Sequence, residues 1–344
     1  MKENRVDLER LLGSKSEPNK DEKNRKKSTN NKFIFHKSYN ALELYNLDTI
    51  NIPKLVDPFL QKSGLATLVG TSDTGKSTFL RQLSLAIVLK SKTFLDFDLK
   101  CEHNKVLYVT TEDDYTSVSF SIRKQLKHLK ESIDDFNLAN LKNLEFIFET
   151  EDLLNTLKTK IEKEPVDLII IDAFTDVFDK EINANTQVRS FLNRYSNLAH
   201  ENNCLILFLH HIGKRTQNQA PSKDSIIGSQ AYEAKMRVVL ELRPNQHSKN
   251  SIELWVLKSN FLQTSYKQKS YVLDLNEHLV FKNTGLRTNK YSDSKSSNPE
   301  LIKKILDLNQ SGLSVRKIEE KLQGTDFELG KSTINTIIKN NKKK

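Results

Sequence analysis

Eight consecutive residues, Gly70-Thr71-Ser72-Asp73-Thr74-Gly75-Lys76-Ser77, match the pattern G-x-x-x-x-G-K-[ST]. Glycines let the backbone curl until its N–H groups converge on phosphate oxygens, and a helix starting behind them directs its positive end at the same point. Lys76 supplies a point charge for the β- and γ-phosphates, and Ser77 a hydroxyl for Mg²⁺. The run from Gly70 to Thr78 is therefore a candidate site for ATP.

Three further groups have types and positions suited to the same chemistry. Asp172 closes the apolar run Leu168–Ile171. A carboxylate at the C-terminal end of a buried parallel strand lies where ligands bind in open α/β sheets and suits a Mg²⁺ ion held through water. Taken alone, such a residue is also an ordinary strand terminator. Thr110-Thr111-Glu112-Asp113-Asp114 follows Val106–Val109, and Glu112 is the candidate to orient the attacking water. The same acids would favour a helix N-terminus. His210 and His211 end Cys204–Leu209. Neighbours on a strand point to opposite faces, so one of the two is the candidate sensor of the γ-phosphate rather than both sharing a metal.

These residues need a scaffold, and the apolar periodicity supplies one. Gly64–Val69, Lys105–Thr110, Leu144–Phe148, Asp167–Asp172 and Cys204–Leu209 read as short strands. Thr78–Leu89, a stretch ending at Leu129, and Asp152–Lys163 read as helices between them. This alternation predicts an α/β fold with a mainly parallel central sheet. Arg237–Leu242, Ile252–Lys258 and Ser270–Phe281 read as further strands, the last a hairpin turning near Asn276-Glu277. The expected domains are a disordered charged arm (1–32), the α/β domain (33–285), a polar linker (286–298) and a small all-α unit (299–344).

The 344 residues include 54 Lys+Arg against 44 Asp+Glu, a net charge of +10. Residues 1–32 and 299–344 each hold ten basic and six acidic residues, so most of the excess sits at the ends, where an anionic partner such as nucleic acid would meet it; solvating tails are the alternative, and the better reading for the N-terminal arm. Two cysteines exclude a disulfide-stapled scaffold, and no Cys/His spacing resembles a zinc site. The N-terminus lacks the apolar core of a signal peptide, and no apolar run approaches the ~20 residues that span a bilayer. A cytoplasmic protein without membrane contact is expected.

In the C-terminal unit, Leu301–Leu308 has helical spacing, Ser314 suits the N-cap of a second helix and Ser332 that of a third. Three short amphipathic helices resemble a helix-turn-helix domain. The last would offer Lys331, Thr333, Asn335, Thr336 and Lys339 to a DNA groove. The link Gln323–Gly330 is longer than the usual turn, and a helical lid or oligomerisation unit is the alternative.

From about Leu55 to Phe261 the motifs taken in order resemble a RecA-like P-loop ATPase of the RepA-like, AAA-type branch of hexameric replicative helicases and their mobile-element relatives. The resemblance runs through Leu55–Leu60, the phosphate loop, Lys105–Val109 with Glu112, Ile171-Asp172, the His-His-x-x-Lys run at 210–214, Gly228–Ala231 and Lys258–Phe261. It implies a homo-hexamer with ATP between subunits, where Arg237 and Lys258 match positions from which basic residues complete a neighbour's site. It also implies that Phe174–Thr186 and Lys214–Ile227 line a central channel, so that Lys214, Arg215 and Lys223 would touch single-stranded DNA. Two residues depart from the pattern. Asp73 puts a negative charge in the phosphate loop, and Asn260 stands where relatives often carry a second basic finger. The function expected is Mg²⁺-dependent ATP hydrolysis coupled to DNA binding, in a replicative or mobilisation helicase of a plasmid or mobile element. The alternative is an ATP-switched DNA-binding regulator or initiator without unwinding. A small-molecule phosphotransferase is disfavoured because no acceptor-binding lid is evident.

Overall fold

A computed structural model describes residues 38–47, 49–213, 219–228, 230–245, 251–290, 299–325 and 328–341. The chain divides into two compact units, 1–48 and 49–344. In the first, the short helix α1 (Ala41–Tyr45) carries a capping box: Asn40 accepts from the Glu43 N–H, and Glu43 accepts from the Asn40 N–H. The expected arm at 1–32 lies outside the described residues.

The second unit is built on strands β1 (Lys54–Val56), β2 (Leu60–Gln61), β3 (Gly64–Gly70), β4 (Thr93–Phe94), β5 (Phe97–Asp98), β6 (Val106–Thr110), β7 (Leu144–Ile147), β8 (Leu168–Asp172), β9 (Leu205–His211), β10 (Val238–Pro244), β11 (Ser251–Ser259), β12 (Tyr271–Leu275) and β13 (Phe281–Asn283). Among the described residues, nine strands form one sheet in the order β13-β12-β11-β10-β3-β9-β8-β6-β7. From β10 through β7 all neighbours are parallel, and β11, β12 and β13 add an antiparallel extension. The helices between them are α2 (Lys76–Val88), α3 (Tyr115–Leu129), α4 (Leu153–Lys163), α5 (Phe174–Val177), α6 (Asn185–Glu201) and α7 (Gln230–Lys235). Among the described residues, no helix is long and apolar enough to cross a membrane.

The continuous apolar runs are explained by burial on both faces. In β8, Leu168 and Ile170 join one core cluster with Leu83 and Ile87 of α2, whereas Ile169 and Ile171 join another with Leu157 of α4 and Leu192 of α6. Helix α2 is apolar on most of its circumference because it is covered twice, by the sheet and by the returning segment β12–β13. Gln82 on α2 donates to the Phe281 carbonyl at 2.9 Å and accepts from the Phe281 N–H at 2.7 Å. Gln125 on α3 donates to the carbonyls of Thr78 and Leu279. Two buried amides thus tie the helix behind the phosphate loop to a strand about two hundred residues later.

Helix α2 starts at Lys76 rather than Thr78, because the loop feeds directly into it. The C-terminal helices α8 (Pro299–Gln310), α9 (Val315–Leu322) and α10 (Lys331–Asn341) have their own core of Leu301, Ile305, Ile318, Leu322, Ile334, Ile337 and Ile338. Ser314 caps α9 by accepting from the Lys317 N–H, as expected. Ser332 does not precede α10. It lies within the first turn, where its carbonyl accepts from the Thr336 hydroxyl.

Replacing Gln82 by Leu removes both bonds and leaves a buried donor and acceptor on Phe281 unpaired, a loss of roughly 2–4 kcal/mol. Urea unfolding with an unchanged m-value reads this as a lower midpoint. A loss below about 1 kcal/mol would mean that the clamp carries no weight.

Candidate functional site

All six parallel strands end at one edge, so short-range register decides which residues meet there. Gly70 of β3 pairs with His211 of β9, and Thr110 of β6 with Asp172 of β8. The phosphate loop leaves β3 at this rim and enters α2 through Gly75, which is left-handed at φ 77°. Gly70 is needed because a Cβ there would lie 2.5 Å from the Leu242 carbonyl oxygen. A Cβ at Gly75 would lie 2.9 Å from the Phe281 ring. Asp73 also has positive φ, at 62°, a conformation that Asp tolerates better than most side chains.

Inside the loop, Lys76 Nζ donates to the Thr71 carbonyl at 2.6 Å, and the Thr74 hydroxyl donates to the same oxygen at 2.9 Å. Burial pulls the Lys76 ammonium below its ordinary pKa, while Glu112, Asp172 and Asp73 pull the other way. The unusual acid of the loop is therefore a partner of the lysine charge.

Asp172 is 1% exposed. Burial raises its carboxyl above the usual range, opposed by the Tyr108 and Ser77 hydroxyls and the Arg81 charge. Tyr108 Oη donates to Asp172 Oδ2 at 2.8 Å, and Oδ1 is buried with no hydrogen-bond partner. An ionisable oxygen left free beside the Ser77 hydroxyl is the donor set that an octahedral, oxygen-seeking Mg²⁺ requires, so the residues fit the ion. Tyr108 and Arg81 were missed in the sequence. The only signals were a hydroxyl inside an apolar strand and a cation four residues after Ser77 on a helix read as buried.

Glu112 is half-exposed on the loop after β6, with Oε1 3.8 Å from His211 Nε2. Next to it, Asp113 accepts from Arg81 Nη1 at 2.7 Å, fixing this loop to α2. Thr111 donates to Asp176 and, through its backbone N–H, to the Asp172 carbonyl. Burial first, and Lys76 second, lower the His211 pKa against the pull of Glu112 and Asp176. His211 thus stands at the rim among Lys76, Glu112 and Asp176.

His210 points to the other face. It is fully buried against Phe174 and Tyr232, with Nε2 2.8 Å from the Ile227 carbonyl. The reading of His210 as a phosphate sensor is therefore corrected: the two-residue alternation that separates the pair leaves only His211 at the rim. The His211 carbonyl accepts from the Ile227 N–H, so both histidines contact the segment that closes the loop after β9.

Arg237 and Lys258 lie at the opposite edge. Arg237 precedes β10, and Lys258 pairs in register with Val239 at that end. At 3.3 Å per residue they are on the order of 13 Å from the rim along the strands, and so outside reach of their own phosphate loop. Lys258 donates to the Glu233 carbonyl and pairs with its carboxylate at 2.9 Å. Arg189, Lys235, Arg237, Lys258 and Asn260 line a cavity of about 380 Å³ there. Lys223 pairs with the same Glu233 at 3.4 Å. Lys214 and Arg215 fall in the segment 214–218, outside the described residues. Phe174, expected to line a channel, is instead fully buried in the aromatic cluster with His210. On α10, Lys331, Asn335, Thr336 and Lys339 are exposed and Thr333 half-buried. Lys331 also pairs with Glu319 of α9.

Burial lowers the His210 pKa from 6.5 to about 4. Because the folded value lies below the unfolded one, stability is full above about pH 6.5 and is lost as pH falls toward 4, by about 2 kcal/mol at pH 5. In urea unfolding at pH 7 and pH 5, His210→Gln should reduce the difference between the two by about that amount. An unchanged difference would contradict the buried, neutral imidazole.

Residues 48–217 match the sequence profile of the family described as an AAA domain. A search of curated proteins returns no match. Among solved structures, the ATPase domain of a different protein aligns with a TM-score of 0.50 at 14% identity, covering 70% of this chain and 95% of that one. At such identity the likeness is one of fold. The profile match, the strand order and the phosphate loop agree on an α/β P-loop fold of the kind that ATPase domains adopt.

Proposed function

We propose that this chain is a Mg²⁺-dependent ATPase that couples hydrolysis to DNA, acting as a RepA-like replicative or mobilisation helicase of a plasmid or mobile element. The observation that carries the reading is the rim, where the phosphate loop, Asp172, Glu112 and His211 meet at the ends of four adjacent strands. Lys76 and the loop N–H groups bind the β- and γ-phosphates. Ser77 and Asp172 would hold Mg²⁺, which supplies neutralising charge between those phosphates. Glu112 orients the attacking water and takes its proton. His211, between Lys76 and Glu112, responds to loss of the γ-phosphate and moves Ile227 through its own carbonyl.

The basic cavity at the far edge supports a homo-hexamer, since Arg237 and Lys258 can serve only the phosphates of another copy. The exposed cations of α10 support a helix-turn-helix reading of the C-terminal unit, with Asn335 at a base edge. A second reading, an ATP-switched DNA-binding regulator, is favoured by one observation: Lys258 is held by Glu233, and its neighbour Asn260 is uncharged.

Lys76→Ala should abolish phosphate release, and retained turnover would refute the site. Glu112→Gln should lower turnover about 10²–10⁴-fold with nucleotide affinity kept, as read by equilibrium binding of a fluorescent ADP. With forked DNA, displacement driven by ATP supports the helicase, whereas DNA-stimulated hydrolysis without displacement supports the regulator. Replacing Lys331 and Lys339 by Ala should flatten the dependence of log affinity on log salt by roughly 1–2. An unchanged slope would remove α10 from the DNA surface.

A further inference from the structure

Asp172 could not keep a defined carboxylate orientation without help. It is buried under α2, and a carboxylate with both oxygens unpaired would rotate or take up a proton. One oxygen is fixed. Tyr108, two residues before the end of β6, pairs with Ile170 of β8 and so points to the same face of the sheet as Asp172, two residues further along that strand. Its hydroxyl is 2.8 Å from Oδ2. The ring is fully buried and packs on Phe146 at 5.1 Å, so the hydroxyl cannot swing away. Its next contact, the Ser77 carbonyl at 3.5 Å, is too long to compete.

Behind this pair stands a cation. Arg81, one turn along α2 from Ser77, is anchored by its bond to Asp113. The outcome is an asymmetric carboxylate: Oδ2 taken by Tyr108, and Oδ1 buried without a partner.

We infer that Tyr108 is a positioning residue for the metal site, holding Asp172 by one oxygen so that the other is presented to the Mg²⁺ of the bound nucleotide. This rests on the reading of Asp172 as the metal carboxylate. Partners that orient a ligating carboxylate typically contribute 10–100-fold to metal affinity.

The test is a titration of a fluorescent ADP analogue into the full chain, once in EDTA and once over a Mg²⁺ series, for Tyr108→Phe, Asp172→Asn and Phe146→Leu. The inference expects Tyr108→Phe to bind the analogue in EDTA within about twofold of the parent, but to need roughly tenfold more Mg²⁺ for half of the Mg²⁺-dependent gain. Phe146→Leu loosens the same packing but keeps the hydroxyl, and should raise the Mg²⁺ requirement less than Tyr108→Phe does. If Asp172→Asn raises the requirement and Tyr108→Phe does not, the role of Tyr108 is overturned while the metal reading stands. If Asp172→Asn leaves it unchanged, the metal reading itself fails. An equal rise in Phe146→Leu and Tyr108→Phe would reduce Tyr108 to packing and overturn the inference.

Discussion

In the proposed mechanism Asp172 must be charged to work, yet it lies where charge is least welcome. Asp172 ends the most apolar strand of the sheet and is covered by α2, and the free energy of burying an unpaired charge is large. Much of the surrounding structure answers that constraint. Tyr108 donates from the adjacent strand, Ser77 approaches from the phosphate loop, and Arg81 brings a cation from the same helix. The aromatic contact of Tyr108 with Phe146 and the ion pair of Arg81 with Asp113 keep these groups in position, and the latter also holds the loop that carries Glu112. Asp172, Lys76 and Glu112, the metal ligand, phosphate lysine and water-orienting acid of the proposed mechanism, are thereby parts of one electrostatic unit.

In the proposed mechanism the two ends of the parallel strands divide the chemistry between copies of the chain. Everything that binds and cleaves nucleotide in the proposed mechanism gathers at the C-terminal ends of the strands. A cationic cavity, with Arg189, Lys235, Arg237 and Lys258, opens at the other end. Glu233 sits at its border and pairs with both Lys258 and Lys223. One carboxylate thus joins a candidate finger to a candidate DNA contact, which gives the two a shared electrostatic neighbour.

Much of the rim was legible because it is written in local pattern. Apolar runs such as Leu168–Ile171 announce strands buried on both faces, and the spacing of Gly70, Gly75, Lys76 and Ser77 needs only a strand before it and a helix after it. Asp172 and Glu112 followed from their places at strand ends. The histidine pair was half legible: alternation required one to leave the rim, but which one depends on the direction β9 faces relative to α2. Tyr108, Arg81, Gln82 and Gln125 were not legible. Their partners lie between 32 and 199 residues away, and nothing in the sequence near a Gln on a helix tells that it will meet Phe281. Ser332 misled because a good capping residue also fits one position inside the helix.

The segment that the family profile matches and the segment that surrounds the phosphate loop are not the same length. The family profile ends at residue 217, before β10 begins. Yet the carbonyl that crowds Gly70 belongs to Leu242, and the ring that abuts Gly75 belongs to Phe281. The nucleotide pocket is therefore closed by chain that is made later, and a ribosome must deliver about sixty residues beyond the recognisable domain before the loop has its roof. The family match draws one boundary here and folding another, and the antiparallel strands at the sheet's edge belong to the second.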